Sequence, residues 1–289
     1  MSERRDATPR EIALDSARGT LTALRWGAGA PRRVLALHGW LDNAASFVPL
    51  APHLEGIDLV ALDLPGHGAS PHLPPGAEYS LAGTVHAVLD AADALGWDDF
   101  AVLGHSMGAA IGSVLAAAAP ERVTRFVAIE ALGALADAED HTAARLREAV
   151  AARRALAGKR LRVFPDIDTA VRARMQANAL SEPVARLLVE RGLVAVDGGY
   201  SWSTDPRLTI STAVRMTEGQ VRDLLAHIEC PVRVIYADPP QSYLPESLRR
   251  ERAALLSRGE RVVIDGGHHL HMEDPAAVAA AIGEFFLQA

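Results

Sequence analysis

Phe100-Ala101-Val102-Leu103-Gly104-His105-Ser106-Met107-Gly108-Ala109-Ala110 joins an apolar, strand-like run to an Ala-rich, helix-like one, with a G-x-S-x-G pentapeptide at the junction. A serine on so sharp a strand-to-helix turn is pushed clear of the fold with its hydroxyl exposed. Glycines flank it because a tight turn between packed elements leaves no room for side chains. The next amide, that of Met107, stands at the start of the helix, where it can donate to an oxyanion. Ser106 is therefore the candidate nucleophile.

Outward from this turn, short apolar runs alternate with helical stretches. Val34 to Leu37, Leu59 to Leu62, Arg125 to Ile129, Val232 to Tyr236 and Arg261 to Ile264 read as buried strands. Ile12 to Leu14 and Thr20 to Trp26 read as an opening pair joined by a turn at Arg18-Gly19. Ser46 to Leu54 and Leu81 to Leu95 have helical spacing, the second with Ser80 as N-cap and Gly96 as its stop. A helix over Pro275 to Leu287 closes the chain. Strands of about four apolar residues alternating with helices predict an α/β fold, a mostly parallel sheet covered on both faces.

The alternation breaks after Glu130. Helical patterns at Ala143 to Leu156, Asp168 to Ala177 and Pro183 to Arg191 carry no convincing strand between them, and an irregular bridge follows from Val196 to Pro206. The expected organisation is a core over residues 1–134, an inserted helical cap over 135–226 and the rest of the core over 227–289.

Composition narrows the function classes. A chain of 289 residues with 49% hydrophobic content can bury a large core. No apolar run approaches the ~20 residues that span a bilayer. The opening Met-Ser-Glu-Arg-Arg-Asp has no apolar stretch after its charges, so no signal peptide is expected. A single cysteine, Cys230, excludes an internal disulfide or a thiolate metal cluster. These features favour the cytoplasm, and a net charge of -7 argues against nucleic-acid binding.

A serine hydroxyl needs a base. His268 lies past the last strand on the Gly-rich run Asp265-Gly266-Gly267-His268, and the C-terminal ends of parallel strands share one edge. His269 and His271 compete for the role. They do not suggest a metal site, because no distant carboxylate or cysteine completes a ligand set. Trp40, after the strand ending at Leu37, would supply the second oxyanion amide and line the acyl pocket with its indole. Asp63-Leu64-Pro65-Gly66-His67-Gly68 reads as a rigid turn beside the site, with His67 structural. For the acid that orients the histidine, Glu130 and Asp238 each end a buried strand at the right edge.

The chain resembles α/β-hydrolases over nearly its whole length, through His38-Gly39-Trp40, Asp63-Leu64-Pro65-Gly66-His67-Gly68, Gly104-His105-Ser106-Met107-Gly108 and Gly267-His268 with Glu273-Asp274-Pro275. More narrowly it is similar to the serine hydrolase-like proteins. The cues are His38-Gly39-Trp40-Leu41-Asp42-Asn43, Leu187 to Gly192 before Asp205-Pro206-Arg207-Leu208, and His268 to Met272. The resemblance implies a Ser106–His268 pair and a helical cap. In much of the superfamily the acid follows the penultimate strand, but Asp238 falls about two residues early for that position. Other branches, haloalkane dehalogenases among them, carry it directly after the strand before the cap, where Glu130 stands. Glu130 is preferred, with Asp238 as the alternative. Dehalogenases and epoxide hydrolases use an aspartate nucleophile, so Ser106 argues against both activities. The expected function is hydrolysis of small, mostly apolar esters through an acyl-enzyme, without cofactor or metal, the partner being a small acyl substrate. Thioester or C–C cleavage by the same residues, and an idle binding scaffold, are the alternatives.

Overall fold

The structure is a computed structural model that describes residues 8–16, 19–156 and 161–288. The Arg18 end of the expected opening turn and the charged residues before Ala7 lie outside the described residues. Strands β1 (Arg10–Ser16) and β2 (Gly19–Trp26) form an antiparallel pair, and β2 runs antiparallel to β4 (Ile57–Leu62). From there the sheet is parallel. Strands β3 (Arg32–Leu37), β5 (Phe100–His105), β6 (Val123–Ile129), β10 (Val232–Asp238) and β11 (Gly259–Asp265) complete eight strands in the order β1-β2-β4-β3-β5-β6-β10-β11. Every residue of β4 and β5 is buried, which is why their stretches Leu59 to Leu62 and Phe100 to Leu103 read as unbroken apolar runs.

Helices cover both faces. On one, α1 (Leu81–Ala94) and α2 (Met107–Ala118) contribute Val85, Val88, Ile111 and Leu115 to a core shared with Leu35, Val102 and Phe126. On the other, α9 (Pro275–Ile282) brings Val278 and Ile282 against Val34, Leu103 and Ile235. Ser80 caps α1 by accepting the Gly83 amide. Two helices are shorter than their spacing predicts. Ser46 to Leu54 is broken into 3-10 turns at Ala44–Phe47 and Ala51–His53, because Pro49 and Pro52 each remove a donor. The last helix stops at Ile282, where Gly283 takes a φ of +49°.

The block expected to be mostly helical, over 135–226, departs from that expectation in two ways. It holds α3 (Thr142–Leu156), α4 (Ile167–Asn178) and α5 (Glu182–Gly192), but also an antiparallel sheet of β7 (Val163–Phe164), β9 (Gly199–Trp202) and β8 (Leu193–Val196). The irregular bridge is in fact a hairpin, with Val196 opposite Gly199 and Asp197-Gly198 as its two-residue turn. Gly199, at φ +140°, is required there, since a Cβ would lie 2.0 Å from the Phe164 carbonyl oxygen. Phe164, Val171, Val184 and Leu188 form this insert's own small core, joined by Met272 from the main domain. The second departure is α6 (Glu218–Ala226), whose Val221 and Leu225 are buried in the main core beside α2, so the sheet layer resumes before residue 226.

Candidate active site

Ser106 sits between β5 and α2 with φ +52° and ψ −113°, a conformation costing on the order of 1–3 kcal/mol for a residue with a side chain. Packing imposes it. A Cβ on Gly104 would come within 2.6 Å of the Ala109 Cα, and one on Gly108 within 1.9 Å of the Leu37 carbonyl oxygen. The Ser106 amide donates to the Ile129 carbonyl at 2.8 Å, fixing the turn to the end of β6. Met107 opens α2, so its N–H is among those that a helix leaves without an internal acceptor.

His268 follows β11 on a loop whose Gly266 amide donates to the Asp238 carbonyl. Its Nε2 lies 3.0 Å from Ser106 Oγ and its Nδ1 lies 3.2 Å from Glu130 Oε2. Glu130 is fully buried directly after β6, at a φ of +60°. Its other oxygen accepts the Ala237 amide at 2.6 Å and faces a guanidinium nitrogen of Arg249 at 3.4 Å. Arg249 is itself buried. It donates to the Ala237 carbonyl at 2.6 Å and lies over the Tyr236 ring at 4.5 Å. It comes from α7 (Glu246–Ala253), the helix that Glu246 begins.

Of the two acid candidates, only Glu130 is brought to the histidine. In the β6–β10 register Ile129 stands opposite Ile235, so Glu130 continues beside Tyr236, while Asp238 lies two residues farther out and is exposed. What Asp238 offers the His268 loop is its carbonyl.

The competing histidines face elsewhere. His269 Nε2 is 3.3 Å from Asp42 Oδ2, and His271 Nε2 lies 2.7 Å from Ser46 Oγ. His105, inside the pentapeptide, has its Nε2 2.8 Å from the His268 carbonyl and its ring 4.0 Å from that of His271. It ties the His268 backbone to the turn that carries Ser106. Burial, reinforced by neighbouring histidines, pulls His105 well below the usual imidazole range and His271 down to about 3. His38 is pulled to about 4 and His67 to about 3, mainly by burial. Burial alone would raise the Asp42 carboxyl, but His269 and Arg174 outweigh it and hold it well below the usual carboxylate range. Among the described residues no group of three or more His, Cys, Asp or Glu side chains is placed to hold a metal ion.

Trp40 does not tuck into the interior. Its indole is 55% exposed and donates to the Leu208 carbonyl at 2.9 Å, bridging the loop after β3 to the turn Pro206–Thr209. Asp63 gathers its turn by accepting the amides of Ala44 and Ala69 and pairing with Arg191 of α5 at 2.7 Å. Arg174 of α4 pairs with Asp42, and Asn43 donates to the Leu188 carbonyl. The insert is thus clamped by buried polar contacts around the strand ends that carry Ser106 and His268.

The sequence reading quoted Asp42 in a motif without giving it a role, and missed Arg249, Arg174, and Tyr243, whose hydroxyl lies 3.5 Å from His268 Nδ1. One signal was available. Arg249 and Arg252 are spaced i,i+3 and share the buried face of α7, whereas Arg250 between them is exposed.

Comparison with known proteins agrees with this architecture. The alpha/beta hydrolase fold family matches residues 32–275, and the chain belongs to that family. It is 31% identical to a serine hydrolase-like protein of Dictyostelium discoideum over 93% of this chain and 79% of that one. It is 30% identical to lipase LipV of Mycobacterium tuberculosis, over 89% of this chain and 94% of the lipase. A hypothetical protein of Pseudomonas aeruginosa PAO1, known as a crystal structure, superposes with a TM-score of 0.91 at 40% identity, covering 96% of this chain and 98% of that one. Among the described residues no helix is long and apolar enough to cross a membrane.

Proposed function

We propose that the chain is a serine hydrolase of small, mostly apolar carboxylic esters, working through an acyl-enzyme. One observation carries the reading: the continuous chain from Ser106 Oγ to His268 Nε2 at 3.0 Å and from His268 Nδ1 to Glu130 at 3.2 Å. As Oγ attacks the ester carbonyl, Nε2 takes the hydroxyl proton and then passes it to the departing alcohol. Glu130 accepts the Nδ1–H, fixes the tautomer and stabilises the imidazolium. The amides of Met107 and Trp40 receive the oxyanion, each such donor contributing on the order of 10²–10³ in rate. Water attacks the acyl-enzyme by the same proton path. The likeness to a lipase supports an ester substrate, and the insert serves as a cap over the strand ends.

The test is a series of p-nitrophenyl esters of graded chain length. Wild type should turn over the short and medium members, and Ser106→Ala should lose on the order of 10⁴ or more in kcat while remaining folded. Wild-type protein that labels with a fluorophosphonate but cleaves no ester would redirect the reading to a thioester or C–C bond. Failure to label as well would leave a binding scaffold.

A further inference from the structure

Glu130 is a carboxylate shut away from water, on a backbone held at φ +60° with its own amide donating to the Ile235 carbonyl at 2.9 Å. Burying a carboxylate is unfavourable unless a cation or several donors face it. Its charge matters to the proposed mechanism, because a neutral carboxyl would not stabilise an imidazolium. Oε2 serves His268, at 3.2 Å from Nδ1. Oε1 accepts the Ala237 amide at 2.6 Å and faces Nη2 of Arg249 at 3.4 Å. Ala237 is gripped a second time, since its carbonyl accepts Nη1 of Arg249 at 2.6 Å. The guanidinium therefore reaches Glu130 by two routes, directly as a charge and through the residue that donates to it.

Stability alone does not account for this arginine. Among the described residues, the buried Arg249 meets one carboxylate, Glu130, and its Nε has no hydrogen-bond partner. Its remaining support is the face of the Tyr236 ring, 4.5 Å away. A buried ion pair with an unsatisfied N–H contributes little to folding, since apolar side chains of similar volume often serve as well. Arg252 of the same helix is the contrast. It is also buried, but it pairs with Glu218 of α6 and donates to the Leu132 carbonyl, tying one helix to another. We propose, on the reading that Ser106, His268 and Glu130 are the working set, that Arg249 is a positioning residue for the reaction. It sets the aim and balances the charge of the Glu130 carboxylate, and it acts on His268 only through that carboxylate.

The test is the rate at which a fluorophosphonate labels Ser106 in folded variants, a readout of nucleophile activation that needs no particular substrate. Arg249→Met, uncharged and similar in reach, should label about tenfold more slowly, the loss expected when a charge-assisted contact is removed. Arg249→Lys restores a cation without the planar fork and should recover part of that loss. On an ester that wild type turns over, the defect of Arg249→Met should fall on kcat with KM little changed. Arg252→Met should lower Tm and yet label near the wild-type rate. Should Arg249→Met fail to fold because the Glu130 charge is left unpaired, the double variant Glu130→Gln/Arg249→Met, with neither charge, takes its place. It should label within about twofold of Glu130→Gln alone, because the two residues act as one unit. The proposal would be overturned by a further loss of about tenfold in the double variant, by wild-type labelling in Arg249→Met, or by equal slowing in Arg252→Met. Wild type that does not label would instead overturn the reading of Ser106, His268 and Glu130, and the positioning role with it.

Discussion

His268 and His269 are consecutive, and each stands against a buried carboxylate that an arginine also reaches: Glu130 with Arg249, Asp42 with Arg174. The imidazole–carboxylate distances, 3.2 and 3.3 Å, are nearly equal. What differs is where the free side of each imidazole points. The His268 side chain is 24% exposed and presents Nε2 to Ser106, whereas His269 is buried and packed edge-on to its neighbour. Arg249 comes from the main domain, whereas Arg174 comes from the insert. The first set is the one we propose for proton transfer, and the second clamps the insert to the loop after β3. A His–carboxylate pair is therefore not a catalytic signature by itself; access to a nucleophile makes it one.

The sharpest way to break this comparison is to delete each histidine. His268→Ala should lower ester kcat/KM on the order of 10⁴. His269→Ala should leave turnover within a few-fold and lower Tm instead. Equal kinetic defects would dissolve the distinction between the two sets.

Charge removal at the carboxylates sharpens it further. Glu130→Gln keeps the shape but loses the charge opposite the imidazolium, so kcat should fall by ~10²–10⁴ with KM little changed. Asp238→Asn, outside the set, should stay within a few-fold of wild type. A large defect in Asp238→Asn with Glu130→Gln near wild type would reassign the acid.

Asp42→Asn breaks the clamp. Removing one partner of a buried ion pair typically costs about 3–5 kcal/mol, so chemical denaturation should show a loss of that order. An unchanged denaturation midpoint would mean that the clamp does not hold the insert.

Acid titrates buried imidazoles away from the Ser106–His268 pair. Folding lowers His38, His67 and His271 to about 4, 3 and 3, while the unfolded chain binds those protons near pH 6.5. Below about pH 6.5 the unfolded state holds more protons, so stability is complete above that pH and declines as pH falls toward 3–4. Each group contributes up to about 1.4 kcal/mol per pH unit in that window. Denaturation midpoints measured from pH 7 to pH 4 should fall steadily, and a flat profile would show these imidazoles to be accessible to protons in the folded state.

What was legible in the sequence was local. Strands buried on both faces announce themselves as apolar runs, and the Gly104-His105-Ser106-Met107-Gly108 turn carries its own steric requirement. Both acid candidates could be placed at the correct sheet edge and the family resemblance favoured Glu130, but the physical reason, the β6–β10 register, is contained in no local pattern. Arg249 and Arg174 read as ordinary helix-surface charges, because their partners lie 119 and 132 residues away in the chain. The β8–β9 hairpin was overlooked for a different reason. Leu193–Val196 is a largely exposed strand with no apolar alternation, and only Asp197-Gly198 betrayed it.

The central claim is that Ser106 is an activated nucleophile served by His268 and not by His269. Intact-mass and peptide mass spectrometry after fluorophosphonate treatment tests it most directly. Wild type and His269→Ala should each take up one label, mapped to Ser106. Ser106→Ala should take up none, and His268→Ala should label far more slowly. Labelling that persists in Ser106→Ala, or that is lost in His269→Ala while surviving in His268→Ala, would contradict the account.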